Sequence, residues 1–467
     1  MGIASINPAT GETIKTYDAM TPEAAAAAVV QAHKTWQAWR TTPFGARARP
    51  MKKTAEILRE RKNELAKLMA TEMGKPLKQG AAEVEKCALG CDYYADNAEA
   101  HLAPETIKTE NSKSYVAFEP LGVVLAVMPW NFPLWQVYRF AAPALMAGNV
   151  GVLKHASNVP GCALVIEEIF TQAGFPEGAF RTLLIGNKQV QAVIEHPLVR
   201  AVTLTGSTAA GKIVAAQAAA ALKKTVLELG GSDPYLVLED ADLDHAVQTC
   251  VNSRLINSGQ SCIAAKRFIV HRAIADRFLA GFSAGMQALR MGDPLDPRTQ
   301  LGPLASARLA EELEAQVEES VALGARLVCG GGRAAPDSAY FLPTVLTDIP
   351  RESPAYRDEL FGPVGCVFVA ADIDDAIRIA NDTRFGLGSS AWTNDSSEQE
   401  RFVRELDAGS VFVNDMVVSD ARFPFGGVKA SGYGRELSDV GLREFVNVKT
   451  VRIRVGDGGA SHGGNTE

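Results

Sequence analysis

The chain has 467 residues, of which 47% are hydrophobic and 22% are charged, and its formal net charge at pH 7 is -7. These proportions are typical of a soluble globular protein, and the length exceeds what one hydrophobic core usually supports, so we expect two large lobes. The acidic balance argues against a nucleic-acid partner, and the most apolar run, Leu121–Met128, is too short to cross a membrane.

The cysteines are scattered without a pattern that would pair them. No CxxC pair and no cluster with zinc-ligand spacing occurs among the seven, which are Cys87, Cys91, Cys162, Cys250, Cys262, Cys329 and Cys366. The sequence therefore predicts neither a disulfide framework nor a metal site, and this usage is typical of the reducing cytoplasm. The first residues also lack the basic and apolar segments of a secretory signal, so we expect a cytoplasmic protein.

The first quarter of the chain is predicted to be helical. Thr21 precedes Pro22 and an alanine-rich run, which is the pattern of a capped helix start. Amphipathic spacing predicts helices over Thr21–Trp39, Ala46–Met73 and Gln79–Ala100. Two strands are then predicted, over Lys113–Glu119 and over the apolar run Gly122–Met128.

From this point helices and strands alternate in two series, which predicts an α/β fold with parallel sheets. The first series ends with the strand Thr225–Leu229 and the second begins with Tyr235–Leu238, so we expect the glycine-rich turn between them to be the boundary between the two lobes. In such sheets a ligand binds in the crevice beyond the carboxyl ends of the strands. The Gly- and polar-rich tail, residues 456–467, is expected to be flexible.

The residues from Asn257 to Cys262 read NSGQSC and follow the predicted helix Leu243–Ile256. A cysteine behind a polar turn is open to backbone N–H groups and to solvent, so we interpret Cys262 as a covalent nucleophile. A free thiol titrates near ~8.5 and reacts as the thiolate, so its surroundings have to favour that form. The alternative is an inert core cysteine, which is the commoner role of this residue type.

A second motif, VTLTGSTAAGKI over Val202–Ile213, carries an apolar strand into a glycine- and hydroxyl-rich turn and then into a helix. The N–H groups of such a helix start can hold phosphate, which favours a dinucleotide site. The alternative is a Walker A loop, because Gly206 and Gly211-Lys212 have its spacing. However, Ile213 replaces the Ser or Thr that would ligate magnesium.

Two further polar residues stand at predicted strand ends. Asn131, in Pro129-Trp130-Asn131-Phe132-Pro133, can present an amide donor to a developing oxyanion. Glu228 closes the strand before the lobe boundary, where partial burial favours the protonated carboxyl and suits a general base. A plain loop asparagine and a salt-bridged glutamate are the alternatives.

Taken together, these stretches resemble the aldehyde dehydrogenase superfamily. The resemblance runs from Ile6 to the predicted strand Phe445–Ile453, and six motifs carry it in the family's order: PWNFP, TGS, LELGG, GQSC, ELFGP and PFGG. It implies two Rossmann-like α/β lobes with a small β oligomerisation element, in a homodimer or homotetramer. The implied domains are residues 1–100 and 121–230 for the cofactor, 231–430 for catalysis, and 101–120 with 444–455 for oligomerisation.

The resemblance also implies the division of catalytic labour. Cys262 would attack the aldehyde carbonyl, Asn131 and the Cys262 N–H would form the oxyanion hole, and hydride would pass to the nicotinamide. Glu228 would then activate the water that hydrolyses the thioester. Because that carboxylate is present, we expect hydrolysis rather than transfer to coenzyme A.

For the cofactor, the resemblance implies contacts with the adenosine ribose, the diphosphate and the nicotinamide ribose from Trp130, Lys154, Ser157, Gly206, Ser207, Gly211, Glu359 and Phe361. Strictly NAD-using relatives carry an acid three residues after the lysine, where this chain has Ser157. Without that charge a 2′-phosphate is not repelled, so we expect both NAD and NADP to be accepted.

The substrate prediction rests on a closer resemblance, to the succinate-semialdehyde dehydrogenases of the family. It implies that Arg139, Trp135 and Ser419 bind substrate, with the guanidinium holding a distal carboxylate. A structural salt bridge is the alternative for Arg139. A second arginine of some relatives is replaced by Ile256, and Arg422 or Arg254 is a candidate for supplying the missing charge.

Overall fold

The computed structural model describes residues 3–110 and 112–454. Its helices are α1 (Pro22–Trp39), α2 (Phe44–Glu60), α3 (Lys62–Met73), α4 (Leu77–His101), α5 (Trp135–Met146), α6 (Pro160–Gln172), α7 (Val190–Glu195), α8 (Thr208–Ala220), α9 (Leu243–Leu255), α10 (Ala275–Gln287), α11 (Ala307–Ala322), α12 (Pro354–Arg357), α13 (Ile373–Asn381), α14 (Ser396–Glu405) and α15 (Ser438–Arg443). Its strands are β1 (Ile3–Ile6), β2 (Thr13–Tyr17), β3 (Glu105–Ile107), β4 (Ser112–Pro120), β5 (Val123–Met128), β6 (Val150–His155), β7 (Phe180–Thr182), β8 (Val199–Thr205), β9 (Lys224–Glu228), β10 (Pro234–Val237), β11 (Arg267–His271), β12 (Arg326–Cys329), β13 (Thr344–Thr347), β14 (Val364–Ala370), β15 (Gly388–Trp392), β16 (Ser410–Val413), β17 (Gly432–Tyr433) and β18 (Val446–Arg454).

The first lobe is built on a six-stranded sheet with the order β17-β9-β8-β5-β6-β7. Every pairing in it is parallel except that of β17, which runs antiparallel to β9. Strand β5 lies between β6 and β8, so the carboxyl ends of three neighbouring strands meet at one edge. This edge is where a ligand of an α/β sheet is expected to bind.

The second lobe is built on a seven-stranded sheet with the order β12-β13-β14-β11-β10-β15-β16. Only the β12-β13 pairing is antiparallel. Successive residues of β11 enter different cores, since Phe268 and Val270 pack in one hydrophobic cluster and Ile269 packs in another. Both faces of this sheet are therefore covered, as parallel strands require.

Two small antiparallel sheets complete the fold. Strands β1 and β2 form a hairpin, and β18, β4 and β3 form a three-stranded sheet. Strand β18 pairs with β4 along its full length, from Val446 opposite Pro120 to Arg454 opposite Ser112. The chain thus brings residues near its end back to a segment that lies just before β5.

The two parallel sheets confirm the α/β class predicted from the alternating pattern. The prediction of one helix over Ala46–Met73 was wrong at one point, because Arg61 adopts φ -94° and ψ 11° and separates α2 from α3. The side chain of Arg61 is engaged there with Glu64 and Glu168. The domain boundaries stay a prediction, and the tail, residues 456–467, lies outside the described residues. In residues 3–110 and 112–454, no helix is both long and apolar enough to cross a membrane.

Candidate active site

The turn that carries Cys262 begins where α9 ends and has an unusual backbone. Asn257 and Ser258 have φ values of 52° and 55°, and Gly259 follows at 79°. Consecutive residues in this left-handed region are costly and persist only where the surroundings fix them. A Cβ on Gly259 would overlap the carbonyl of Gly362, so the turn is pressed directly against another backbone segment.

Hydrogen bonds to three parts of the chain fix this turn. Asn257 Nδ2 donates to the carbonyl of Asn131 at 2.7 Å, and Ser258 Oγ donates to the carbonyl of Gly302 at 3.0 Å. Gln260 Oε1 accepts from the N–H of Ala305 at 2.8 Å. On the far side of the cysteine, Lys266 Nζ donates to the Cys262 carbonyl at 3.1 Å. The position of the thiol is thus determined by long-range contacts as well as by the local sequence.

Cys262 lies where two cavities meet. It lines one cavity together with Trp135, Arg139 and Ser419, and it also lines another together with Asn131. Burial raises the pKa of the thiol to about 12, although the charge of Arg139 acts in the opposite direction. The resting side chain is therefore a protonated thiol, and the polar turn does not by itself generate the thiolate.

The side-chain amide of Asn131 is fixed by two hydrogen bonds and keeps one N–H proton free. Its Nδ2 donates to the carbonyl of Gln260 at 3.1 Å, and its Oδ1 accepts from Gln136 Nε2 at 3.0 Å. Its carbonyl also accepts from Lys75 Nζ at 2.8 Å. Because an amide nitrogen carries two protons, one remains for an acceptor in the cavity that Asn131 and Cys262 share.

Glu228 lies behind these cavities rather than on their walls. Its carboxyl packs against Gly426, where a Cβ would lie 2.6 Å from Oε1, and neither of its oxygens accepts a hydrogen bond within the described chain. Burial, reinforced by the nearby Glu436, raises the pKa of Glu228 well above its usual range. The sequence-based expectation of a desolvated carboxyl at this strand end agrees with this environment.

The cavity shared by Asn131 and Cys262 follows the carboxyl edge of the first sheet. It is lined by Pro129, Trp130, Asn131, Gln136, Thr205, Gly206, Ser207, Leu229, Gly230, Cys262, Glu359 and Phe361. Ser207 caps α8 by accepting from the N–H of Ala210 at 3.2 Å, so the start of this helix opens toward the cavity. A helix start next to a glycine-rich turn suits an anionic diphosphate, and these residues therefore fit a dinucleotide.

Three of the residues implied for the cofactor do not line this cavity. Lys154 is the penultimate residue of β6 and donates to Asn187 Oδ1 at 2.7 Å, while Ser157 is exposed in the turn before α6. Both stand at the same sheet edge as the cavity. Gly211 is instead a packing position, because a Cβ there would lie 2.5 Å from Leu229 Cδ2. Lys212 is exposed on α8, which gives no support to a Walker A loop.

The other cavity is lined by all three residues implied for the substrate. Trp135 Nε1 donates to Ser419 Oγ at 3.1 Å. Arg139 is ion-paired with buried Glu436 and donates to Thr205 Oγ1 at 3.2 Å. The charge of Arg139 is thus already balanced, which agrees with the salt-bridge alternative, and a role in binding a carboxylate stays a prediction.

Sequence reasoning missed two charged residues of this region, Lys86 and Glu436. Lys86 lies on α4 and lines the same cavity as Trp135, Arg139 and Ser419. No sequence motif marks it, because it lies within a long helix that was predicted to be amphipathic. Neither arginine proposed to replace the charge missing at Ile256 lines that cavity. Arg422 is exposed and paired with Asp420, and Arg254 is buried and donates to the carbonyl of Gly259 at 2.6 Å.

The fold and this arrangement of a thiol, an amide donor and a buried carboxyl define the class of protein. The model of the aldehyde dehydrogenase family matches residues 1–451, and the chain belongs to that family.

Three proteins that are similar to this chain carry the name succinate-semialdehyde dehydrogenase. The chain is 55% identical over 456 residues to succinate-semialdehyde dehydrogenase (NADP+) 1 of Mycobacterium tuberculosis, covering 97% of this chain and 100% of that protein. It is 52% identical over 469 residues to the succinate-semialdehyde dehydrogenase (NADP+) of Mycobacterium avium, covering 100% of this chain and 99% of that protein. Succinic semialdehyde dehydrogenase of Streptococcus pyogenes, solved in complex with NADP+, has a TM-score of 0.94 at 37% identity and covers 97% of this chain and 100% of that one.

Proposed function

We propose that the protein oxidises succinate semialdehyde to succinate, with NADP as the hydride acceptor and water as the oxygen donor. The observation that carries this proposal is the position of Cys262, which forms part of the wall of two cavities at once. An aldehyde attached to its sulfur from one cavity therefore faces the other. The similarity to NADP-dependent succinate-semialdehyde dehydrogenases supports the choice of substrate and cofactor.

The first half of the reaction is carried by Cys262 and Asn131. The Cys262 thiol first releases its proton to solvent through the cavity, and the thiolate then adds to the aldehyde carbon. The carbonyl oxygen becomes an alkoxide within reach of the free amide proton of Asn131. Because Gln260 and Gln136 fix this amide before substrate arrives, its orientation costs little during the reaction. The nicotinamide of NADP, when bound, accepts the hydride that leaves the carbon, and a thioester remains on Cys262.

The second half needs a base, and Glu228 is the candidate. Its carboxyl is protonated at rest and unpaired, so neither a salt bridge nor a hydrogen bond has to be broken for it to move. We propose that its side chain turns toward Cys262 once the thioester has formed and loses its own proton to solvent as it leaves the buried position. The resulting carboxylate then accepts a proton from the attacking water. The acid is then released and the free thiol is restored.

For the cofactor, the cavity at the start of α8 supports binding of the diphosphate near Gly206 and Ser207, and of the nicotinamide ribose near Glu359 and Phe361. Lys154 and Ser157 stand at the end of the neighbouring strand, where the adenosine ribose of a bound dinucleotide would reach. The exposed Ser157 places no negative charge against a 2′-phosphate. This absence of repulsion supports the use of NADP.

The test is a steady-state assay that follows cofactor reduction at about 340 nm. Succinate semialdehyde with NADP is expected to be the preferred pair over butanal and over NAD. Cys262→Ala is expected to abolish turnover with every aldehyde, because covalent attachment is lost. Cys329→Ala, which replaces a partly exposed cysteine outside both cavities, is the matched control and should retain it. Full turnover in Cys262→Ala would overturn the mechanism.

We also propose that the protein acts as a homodimer or homotetramer in the cytoplasm. The three-stranded sheet of β3, β4 and β18 exposes Ile107, Val448 and Ile453, and a second copy of the chain would cover them. All seven cysteines lie in the described part of the chain and all are free, which suits a reducing compartment. Light scattering should give a mass of two or four chains, and a monomer would contradict the interface.

A further inference from the structure

We propose that Lys86 binds the distal carboxylate of the aldehyde acid, and that its ammonium group supplies the charge missing at Ile256. This inference rests on the proposed function, because it concerns how the same site distinguishes succinate semialdehyde from an uncharged aldehyde. Lys86 and Ile256 line the same cavity as Cys262. A substrate attached to the sulfur can therefore direct its other end toward the ammonium.

Lys86 is held in place by the other residues of this wall. Its Nζ donates to Ser419 Oγ at 2.7 Å and lies 4.7 Å from the ring centroid of Trp135. The aromatic face and the hydroxyl fix the position of the ammonium without neutralising its charge. The side chain also lines a neighbouring cavity together with Trp135, Ser419 and Arg422, so it stands between two cavities.

The charge of Lys86 has no carboxylate partner in the described part of the chain. Within residues 3–110 and 112–454, no Asp or Glu oxygen lies within 4.0 Å of its Nζ, whereas Arg139 is paired with Glu436 and Lys75 with Glu83. Burial, together with the positive charge of Arg139, lowers the pKa of Lys86 to about 8. A half-buried ammonium without a counterion is unfavourable, and an entering carboxylate would relieve this cost.

The hydroxyl of Ser419 can donate a hydrogen bond to the same carboxylate. Its Oγ already accepts from Lys86 Nζ and from Trp135 Nε1, so both hydrogen bonds use its lone pairs. The single hydroxyl proton is left for an acceptor in the cavity. A carboxylate placed between Lys86 and Ser419 would thus receive one hydrogen bond from a cation and one from a hydroxyl. Charge-assisted hydrogen bonds of this kind are the stronger ones in proteins.

The test compares kcat/KM for succinate semialdehyde with kcat/KM for butanal, which has four carbons but no carboxylate. Lys86→Met is expected to lower the ratio of the two by roughly 10- to 100-fold, through KM for the acid, as the loss of one charged hydrogen bond predicts. Lys86→Arg should restore part of the ratio. Lys78→Met, an exposed position on the same helix, is the matched control and should leave the ratio unchanged. Lys86→Gln keeps a donor for Ser419 without the charge, and serves if the methionine variant does not fold.

The pH dependence of this ratio gives a second readout. Above about pH 8 the free ammonium loses its proton, so the wild-type preference for the acid should decline there and the decline should be absent in Lys86→Met. Besides Arg139, the ionisable groups that act on Lys86 are Glu83, Cys87 and Asp420, and Glu83 and Asp420 are themselves paired with cations. A ratio that is unchanged in Lys86→Met and in Lys86→Gln would overturn the inference alone. A wild-type enzyme with no preference for the acid would overturn the proposed function.

Discussion

The turn before Cys262 allows a prediction that separates two contributions to the loss of stability in a Gly→Ala variant. One is the cost of a left-handed backbone, and the other is the steric overlap of the added Cβ. Gly259 has φ +79° and Gly11 has φ +77°, so alanine at either position is forced into the same left-handed backbone, at roughly 1–2 kcal/mol. At Gly11 a Cβ would find nothing within 4 Å, whereas at Gly259 it would overlap the Gly362 carbonyl and lie 2.7 Å from Pro363 N. These atoms are backbone and have no rotamer to change, so overpacking adds about 1–3 kcal/mol.

We therefore expect Gly259→Ala to lose about 2–5 kcal/mol and Gly11→Ala about 1–2 kcal/mol of folding stability. Thermal unfolding at one scan rate measures the difference, with roughly 2–4 °C in Tm per kcal/mol for a domain of this class. Turnover should fall in Gly259→Ala only, because the turn has to shift away from Gly362 and takes Cys262 with it. Equal Tm shifts in the two variants, with full activity in both, would refute the argument that this turn is held by a close backbone contact.

Two further predictions concern charge. Burial raises the pKa of Glu228 in the folded state above its ordinary value of 4.5. The stability linked to this carboxyl is therefore fully present below about pH 4.5, and it is lost as the pH rises toward the folded-state pKa. Glu228→Gln should consequently gain Tm over the wild type between about pH 5 and about pH 8, with no gain at about pH 4, and a pH-independent difference would contradict this. Ser157→Glu should lower kcat/KM for NADP by roughly fivefold and leave that for NAD nearly unchanged, since two charges near 4 Å apart repel by about 1 kcal/mol in water. An equal loss with both cofactors would indicate a folding defect instead.

Much of the fold follows from local patterns. The apolar run Gly122–Met128 is a strand because its side chains are buried on both faces, and β5 occupies nearly the predicted range. Strand β15 was not predicted, because its sequence, GSSAW, has neither alternation nor a branched apolar side chain. Its burial is decided by pairing with β10 and β16 on either side, and that information is not local.

The site was predictable to the extent that motifs mark it. Asn131, Gly206 and Glu359 follow or precede recognisable turns, and the structure places all three on one cavity with Cys262. Lys86 carries no such mark, since a lysine at its position in α4 looks like part of a solvated helix face. Only the packing of α4 beside Ser419 gives that residue a cavity to line. The protonation of Cys262 was equally hidden, because desolvation depends on neighbours far away in sequence.

Before substrate binds, the protonation of Cys262 and Glu228 and the charge of Lys86 favour the entry of an aldehyde that carries a carboxylate. The thiol of Cys262 and the carboxyl of Glu228 are both kept protonated by burial, so neither group is an anion before the aldehyde binds. The cation of Lys86, by contrast, has no carboxylate partner among the described residues, and a semialdehyde acid brings the opposite charge to it. The carboxylate end would therefore contribute binding energy where the site lacks a counterion, while the aldehyde end meets a thiol held by a rigid turn. Binding of the carboxylate end would then hold the carbonyl carbon beside the sulfur of Cys262. The attack would become effectively unimolecular, and part of its entropic cost would be met by the binding energy of the carboxylate.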